Sequence, residues 1–142
     1  MKQVERFGIH GRALAWIQAF LTDRRQLVRA NGEHSDFKAV KSGVPQGSIL
    51  GPVLFTLYVN DIPSLLETII SMYADDTKLY TAITSESSIT SLKLDLRKLE
   101  EWAKIMQMKF HPAKCKVMHL GKNNPKATYH MKSTDGEEHE LE

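Results

Sequence analysis

Ile69-Ile70-Ser71-Met72-Tyr73-Ala74-Asp75-Asp76-Thr77-Lys78-Leu79-Tyr80-Thr81-Ala82-Ile83 is the stretch on which the reading of this chain turns. Its two ends, residues 69–72 and 79–83, are rich in β-branched and apolar side chains and read as strands. The residues between them must reverse the chain, which sets Asp75 and Asp76 side by side at a hairpin tip. Adjacent anions repel, weakly in water and more strongly as solvent is excluded. A fold tolerates such a pair most easily with a cation beside it. Carboxylate oxygens are hard ligands suited to Mg²⁺, which keeps several waters and takes one or two carboxylates together with substrate phosphates. Two-metal sites use such groups to hold the attacking and leaving oxygens of an in-line displacement. Taken alone, the pair serves equally well as an ordinary Asp-rich turn.

Upstream lies a second informative stretch, Ser42-Gly43-Val44-Pro45-Gln46-Gly47-Ser48-Ile49-Leu50-Gly51-Pro52. Its glycines and prolines mark a loop whose backbone can approach a ligand closely. The helix expected after it, residues 49–59, offers free N–H groups to an anion. Pro52 is tolerated only in the first turn of that helix. Gln46 can donate and accept hydrogen bonds at a base or sugar edge. The bland alternative is a loop-to-helix connection without a ligand.

Downstream, Ile89, Leu92, Leu96, Leu99, Trp102 and Ile105 recur at three- and four-residue steps, which predicts an amphipathic helix over 88–106 capped by Ser87 or Ser88. Residues 109–114 read as a loop and 115–120 as a short strand. Lys114, with Lys116 nearby, is placed to meet a phosphate or to protonate a leaving group, although solvated lysines are far commoner.

The N-terminal part reads as a helix over 12–22, then a hairpin with strands 26–30 and 37–40 around Asn31-Gly32 and a connection longer than two residues. Helices alternating with antiparallel strands predict an α+β fold, an antiparallel sheet with helices packed on one face. No repeat or low-complexity linker marks an internal boundary, so residues 1–134 are expected as one domain. Residues 135–142, with five acids and no Lys or Arg, are expected as a disordered acidic tail.

The formal net charge of +2 conceals that asymmetry. Without the tail the chain carries a surplus of seven basic residues, which suits a polyanionic partner as well as a solvated surface. Cys115 is the single cysteine, so no intrachain disulfide forms, which fits a reducing compartment. No apolar run reaches the ~20 residues of a membrane span and no secretory signal opens the chain. An intracellular protein, nuclear or cytoplasmic, with no membrane partner is expected.

Taken in order, these stretches resemble the reverse transcriptase domain of non-LTR (LINE-type, Jockey-like) retrotransposons. Ser42 through Phe55, followed by Tyr58-Val59-Asn60-Asp61-Ile62-Pro63, resembles the family's Gln-Gly motif, and Tyr73-Ala74-Asp75-Asp76 its Tyr-x-Asp-Asp box. Phe7-Gly8-Ile9-His10-Gly11, with Trp16-Ile17, Phe20-Leu21 and Arg25-Gln26, resembles the segment after the first catalytic motif. Trp102 and then Met108-Lys109-Phe110-His111-Pro112-Ala113-Lys114-Cys115-Lys116 resembles the later lysine motif, with His111 where Asn is usual. The resemblance covers about residues 4–121 and implies a partial polymerase palm.

By that resemblance Asp75 and Asp76 are ligands of catalytic Mg²⁺, with Asp76 the supporting acid, and Tyr73 and Ala74 lie near the primer end. Gln46 and Gly47 line the template and nucleotide pocket, and Lys114 is the general acid for pyrophosphate. The implied reaction is RNA-templated attack of a DNA primer on a deoxynucleoside triphosphate. The family's first metal-binding Asp is expected before the Phe7-Gly8-Ile9 segment, with fingers further upstream and a thumb downstream. Asp23 and Asp61 each follow a helix and do not match that motif. The expected site is therefore an incomplete two-metal site, inactive alone. The alternative is a non-catalytic nucleic-acid-binding remnant of a decayed retroelement.

Overall fold

The computed structural model describes residues 1–133 and 136–142. The chain forms two compact units, Met1–Asn60 and Asp61–Glu142. The division falls at a helix end rather than in a linker, so composition does not mark it.

The first unit holds three helices, α1 (Lys2–Arg6), α2 (Gly11–Leu21) and α3 (Leu50–Val59). The periodic apolar residues of α2 supply the core: Ile17 is buried with Val4 of α1 and Leu54 of α3, and Leu14, Phe20, Leu21, Val44 and Leu50 close around them. Pro52 sits in the first turn of α3, where its missing N–H costs nothing.

Between α2 and α3 runs a long hairpin of two short ladders. β1 (Arg25–Gln26) pairs with β4 (Lys38–Ala39), and β2 (Arg29–Ala30) with β3 (Glu33–His34). The return strand starts at Glu33, so the turn is the two residues Asn31-Gly32 and no longer connection exists. Both residues have positive φ, 51° and 85°, the requirement of a tight turn matched to strand twist. Ser35 bridges the gap between the ladders, its N–H donating to Val28 O (2.9 Å) and its Oγ accepting from Val28 N–H (2.9 Å).

The second unit begins with a 3₁₀ turn, Ile62–Leu65, and continues into β5 (Ile69–Tyr73), β6 (Asp76–Tyr80) and α4 (Glu86–Ile105). Ser85, not Ser87 or Ser88, is the N-cap of α4. Ile89, Leu99, Trp102 and Ala103 form its buried stripe. A second 3₁₀ turn, Pro112–Lys114, precedes β7 (His130–Lys132) and β8 (Glu138–Glu140).

Mixed helices and antiparallel strands make an α+β fold, as expected. Among the described residues the strands do not join one sheet; they form four separate two-stranded ladders. Residues 115–120 form no strand: Cys115 and Val117 turn inward alternately, but among the described residues their one backbone hydrogen bond to another segment is the Val117 N–H donating to Glu142 O (2.7 Å). The acidic C-terminal stretch, expected without structure, carries β8, paired Met131 to His139. Lys132 N–H donates to Glu100 of α4 (2.6 Å), and Arg97 of α4 pairs with Glu138. The boundary drawn between 134 and 135 falls on Thr134 and Asp135, outside the described residues.

Candidate functional site

The hairpin is tighter than the sequence indicates. Its ladder runs from Ile69↔Tyr80 to Tyr73↔Asp76, leaving Ala74-Asp75 as the turn. Ile70, Met72, Thr77 and Leu79 are half-buried, while Ser71, Tyr73, Asp76 and Lys78 face solvent. Asp75 and Asp76 are both exposed, and Tyr73 is 85% exposed. Among the described residues neither carboxylate has a hydrogen bond or ion pair. Ala74 has φ 52°, a left-handed conformation that L-residues other than Gly, Asn and Asp seldom adopt and that costs roughly 1–2 kcal/mol. Strained backbone of this kind collects at functional sites.

The entry to β5 is fastened to α4 at three levels. Nearest the helix start, Ser91 Oγ donates to Glu67 Oε2 (2.9 Å). In the middle, Asp95 Oδ2 accepts the backbone N–H groups of Glu67 (2.9 Å) and Thr68 (2.7 Å), and Asp95 Oδ1 accepts from Lys98 Nζ (2.9 Å). Further on, Trp102 Nε1 donates to Asp61 Oδ1 (3.2 Å). Asp95 is 0% exposed. Burial pushes its carboxyl up, but Lys98 and the N–H groups of Thr68 and Glu67 outweigh that and hold it below the ordinary 3.8. The neighbouring Thr68 hydroxyl adds to the lowering without forming a well-shaped hydrogen bond.

Asp95 is absent from the residues that the sequence motifs single out. Its signal is nonetheless present: it stands three residues after Leu92 and four before Leu99, inside the apolar stripe of α4. An acid in such a stripe must find partners or be expelled.

In the first unit, residues 45–48 form a turn in which Ser48 N–H donates to Pro45 O (3.3 Å). Gln46 and Gly47 are its exposed tip, with Gly47 at φ 80°. The turn is locked onto α3: Ser48 Oγ donates to Pro45 O (2.7 Å) and accepts from Gly51 N–H (3.0 Å). A Cβ on Gly51 would lie 3.0 Å from both Pro45 O and Ser48 Oγ, so a larger residue there would push the Pro45 carbonyl and the Ser48 side chain aside by a few tenths of an ångström. Arg24 braces the same loop by donating to the carbonyls of Ser42 (3.3 Å) and Gly43.

Lys114 is exposed at the end of the second 3₁₀ turn, behind buried Pro112. Lys116 lies 3.5 Å from Glu142. The expected residues therefore lie on three elements: Tyr73, Ala74, Asp75 and Asp76 share the apex of the β5–β6 hairpin and Lys114 ends the second 3₁₀ turn in the second unit, while Gln46 and Gly47 share one turn in the first. Among the described residues no group of three His, Cys, Asp or Glu is placed to hold a metal. The apex contributes two hard carboxylate donors, which fits the one or two that Mg²⁺ takes from protein.

A family model described as reverse transcriptase (RNA-dependent DNA polymerase) matches residues 1–139. The chain is 32% identical over 108 residues to the RNA-directed DNA polymerase from mobile element jockey of Drosophila melanogaster, covering 70% of this chain and 12% of that protein. The counterpart from Drosophila funebris is 33% identical, over 70% of this chain and 12% of its own length. A "Probable RNA-directed DNA polymerase from transposon BS" of Drosophila melanogaster is 31% identical, over 69% and 12%. The chain thus spans about an eighth of the curated relatives it matches. No solved structure matches it significantly. The chain belongs to the reverse transcriptase family, in its non-LTR retrotransposon branch.

Proposed function

We propose that this chain is part of the palm of an RNA-directed DNA polymerase and that its acidic apex is the chain's share of the metal centre. The observation that carries this reading is the pair of exposed, partnerless carboxylates at the apex, Asp75 in the strained two-residue turn and Asp76 opening β6 beside it, on a hairpin whose base is braced. A fold that concentrates strain and repulsion at one point gains nothing structural there; a bound cation would offset the repulsion and give the strain a function.

Asp75 is the principal ligand and Asp76 the supporting one. Bound Mg²⁺ would lower the barrier by neutralising charge on the attacking and leaving oxygens. Tyr73 and Ala74 flank the primer end. Gln46 and Gly47, on a rigid exposed turn, offer amide and backbone groups to the template or the incoming nucleotide. Lys114 supplies the proton for departing pyrophosphate. In the reaction the primer 3′-oxygen forms a bond to the α-phosphorus while the bond to pyrophosphate breaks. A two-ion centre needs more oxygen donors than the apex provides, so the chain by itself gives little or no extension. RNA template, DNA primer and deoxynucleoside triphosphates are the partners, met inside the cell.

Primer extension on an RNA template with Mg²⁺, by the polymerase containing this segment, tests the reading. Loss of several kcal/mol of charge stabilisation predicts a fall of about 10²-fold or more for Asp75→Ala. Undiminished extension would remove Asp75 from the centre. The basic surplus of the chain body favours one other reading, nucleic-acid binding without catalysis, in which binding is salt-sensitive and no extension occurs.

A further inference from the structure

We infer that Asp95 is the positioning residue of the acidic apex: by gripping the backbone just ahead of β5, it sets the direction in which the β5–β6 hairpin presents Asp75 and Asp76. The inference rests on the reading of the apex as a metal ligand, and it concerns a residue some twenty positions away that touches neither acid.

A leucine at position 95 would continue the apolar stripe of α4 without any desolvation cost. Instead a carboxylate is fully buried there, with one oxygen turned to the backbone ahead of β5 and the other to a lysine of its own helix. Oδ2 takes two consecutive N–H groups, Glu67 and Thr68, and Oδ1 takes Lys98, which also reaches Glu67 (3.7 Å). Consecutive backbone donors on one oxygen fix position and direction together, since neither can rotate without losing its bond. Thr68 is the residue immediately before β5.

The hairpin needs such a grip. Among the described residues it is a lone two-stranded ladder with no third strand alongside it, and isolated hairpins are marginal in water. Its inner face is only half-buried. From Thr68 to Asp75 the extended chain is roughly 23 Å long, so a tilt of about 5° at the base moves the tip by about 2 Å. Displacements of about 1 Å are enough to cost on the order of 10²-fold in a positioned reaction. Ser91 and Trp102 fasten side chains of the same segment, whereas Asp95 is, among the described residues, the one α4 side chain that accepts the backbone N–H groups of Glu67 and Thr68.

The test uses the full chain with Cys115→Ser and nitroxide labels at two exposed lysines, Lys78→Cys on β6 and Lys104→Cys on α4, read by electron–electron distance measurement alongside amide exchange and thermal melting. Asp95→Leu restores an apolar stripe and is expected to melt no lower than Asp95→Ala. It should nevertheless broaden or shift the distance distribution and speed exchange at Glu67 and Thr68 about tenfold or more. Asp95→Asn keeps an acceptor oxygen and should retain the narrow wild-type distribution. An unchanged distribution and unchanged exchange in Asp95→Leu would overturn the inference. So would equal broadening in the Asn and Leu variants that simply tracks a drop in melting temperature. None of these readouts involves a metal. Failure of the apex reading would appear separately, as Mg²⁺-dependent extension that survives Asp75→Ala.

Discussion

Ala74 is where local energetics and proposed chemistry meet most sharply. It holds φ 52° between Tyr73 and Asp75 and directs two acids into solvent. A β-branched residue is far worse than alanine in that region, because its second γ-substituent crowds the backbone. Ala74→Val is expected to destabilise the second unit by about 1–2 kcal/mol beyond any loss of activity, measurable as a lower urea midpoint with unchanged slope. The identity of these apex residues is legible in the sequence because a Tyr-x-Asp-Asp run is short, local and chemically unusual. The strain is not, since sequence patterns do not report φ. Gly51 reads in the sequence only as part of a loop, yet the 3.0 Å approach of Pro45 O and Ser48 Oγ shows that it lets the Gln46 turn dock on α3.

At the scale of elements, local signals read true and partnerships do not. The stripe on α4, the Asn31-Gly32 turn and the β5–β6 hairpin each follow from nearest neighbours in sequence. The span 115–120 has strand-like alternation, but a strand needs a partner, and among the described residues only one backbone hydrogen bond joins the span to another segment. Conversely, β7 and β8 are hidden by the density of acids at the C-terminus. Tyr129 and Met131 alternate into the interior, and the acids find partners: Glu138 with Arg97, Glu142 with Lys116, and Glu140 beside His130 at 3.9 Å. Arg97 and its partners pull each other's ionisation apart, the Glu138 carboxyl moving down and the Arg97 guanidinium up.

Asp95 belongs to this scale because it joins α4 to the base of the hairpin. Removing it by Asp95→Ala strands the buried N–H of Thr68 and the half-buried N–H of Glu67 and is expected to cost about 2–4 kcal/mol. Its folded pKa lies below 3.8, so its contribution is fully present above that value and is lost as pH falls through the lower folded value. Urea midpoints of wild type and Asp95→Asn should therefore differ most near neutrality and converge in strong acid. A gap that widened on acidification would contradict the ion-pair account.

Across the whole molecule, charge is the property most directly tied to a partner. The basic surplus outside the C-terminal acids predicts that binding to an RNA–DNA hybrid weakens steeply with salt. If Lys114 meets a phosphate, Lys114→Gln should lower the slope of log K against log salt by about one, and an unchanged slope would place that lysine away from the backbone. Family membership is legible in the amino-acid sequence, because the Gln-Gly and Tyr-x-Asp-Asp motifs occur in tandem and in order. The two-unit division and the four separate ladders are not, because both depend on which segments meet rather than on what each segment contains.

The central claim is that Asp75 and Asp76 form a cation site at the hairpin apex. Its most direct test is a Mn²⁺ titration of the full chain followed by paramagnetic broadening of backbone amide signals. Selective broadening at Ala74, Asp75 and Asp76 that is lost in Asp75→Ala is the predicted result. Broadening centred elsewhere, or identical in Asp75→Ala, would contradict it.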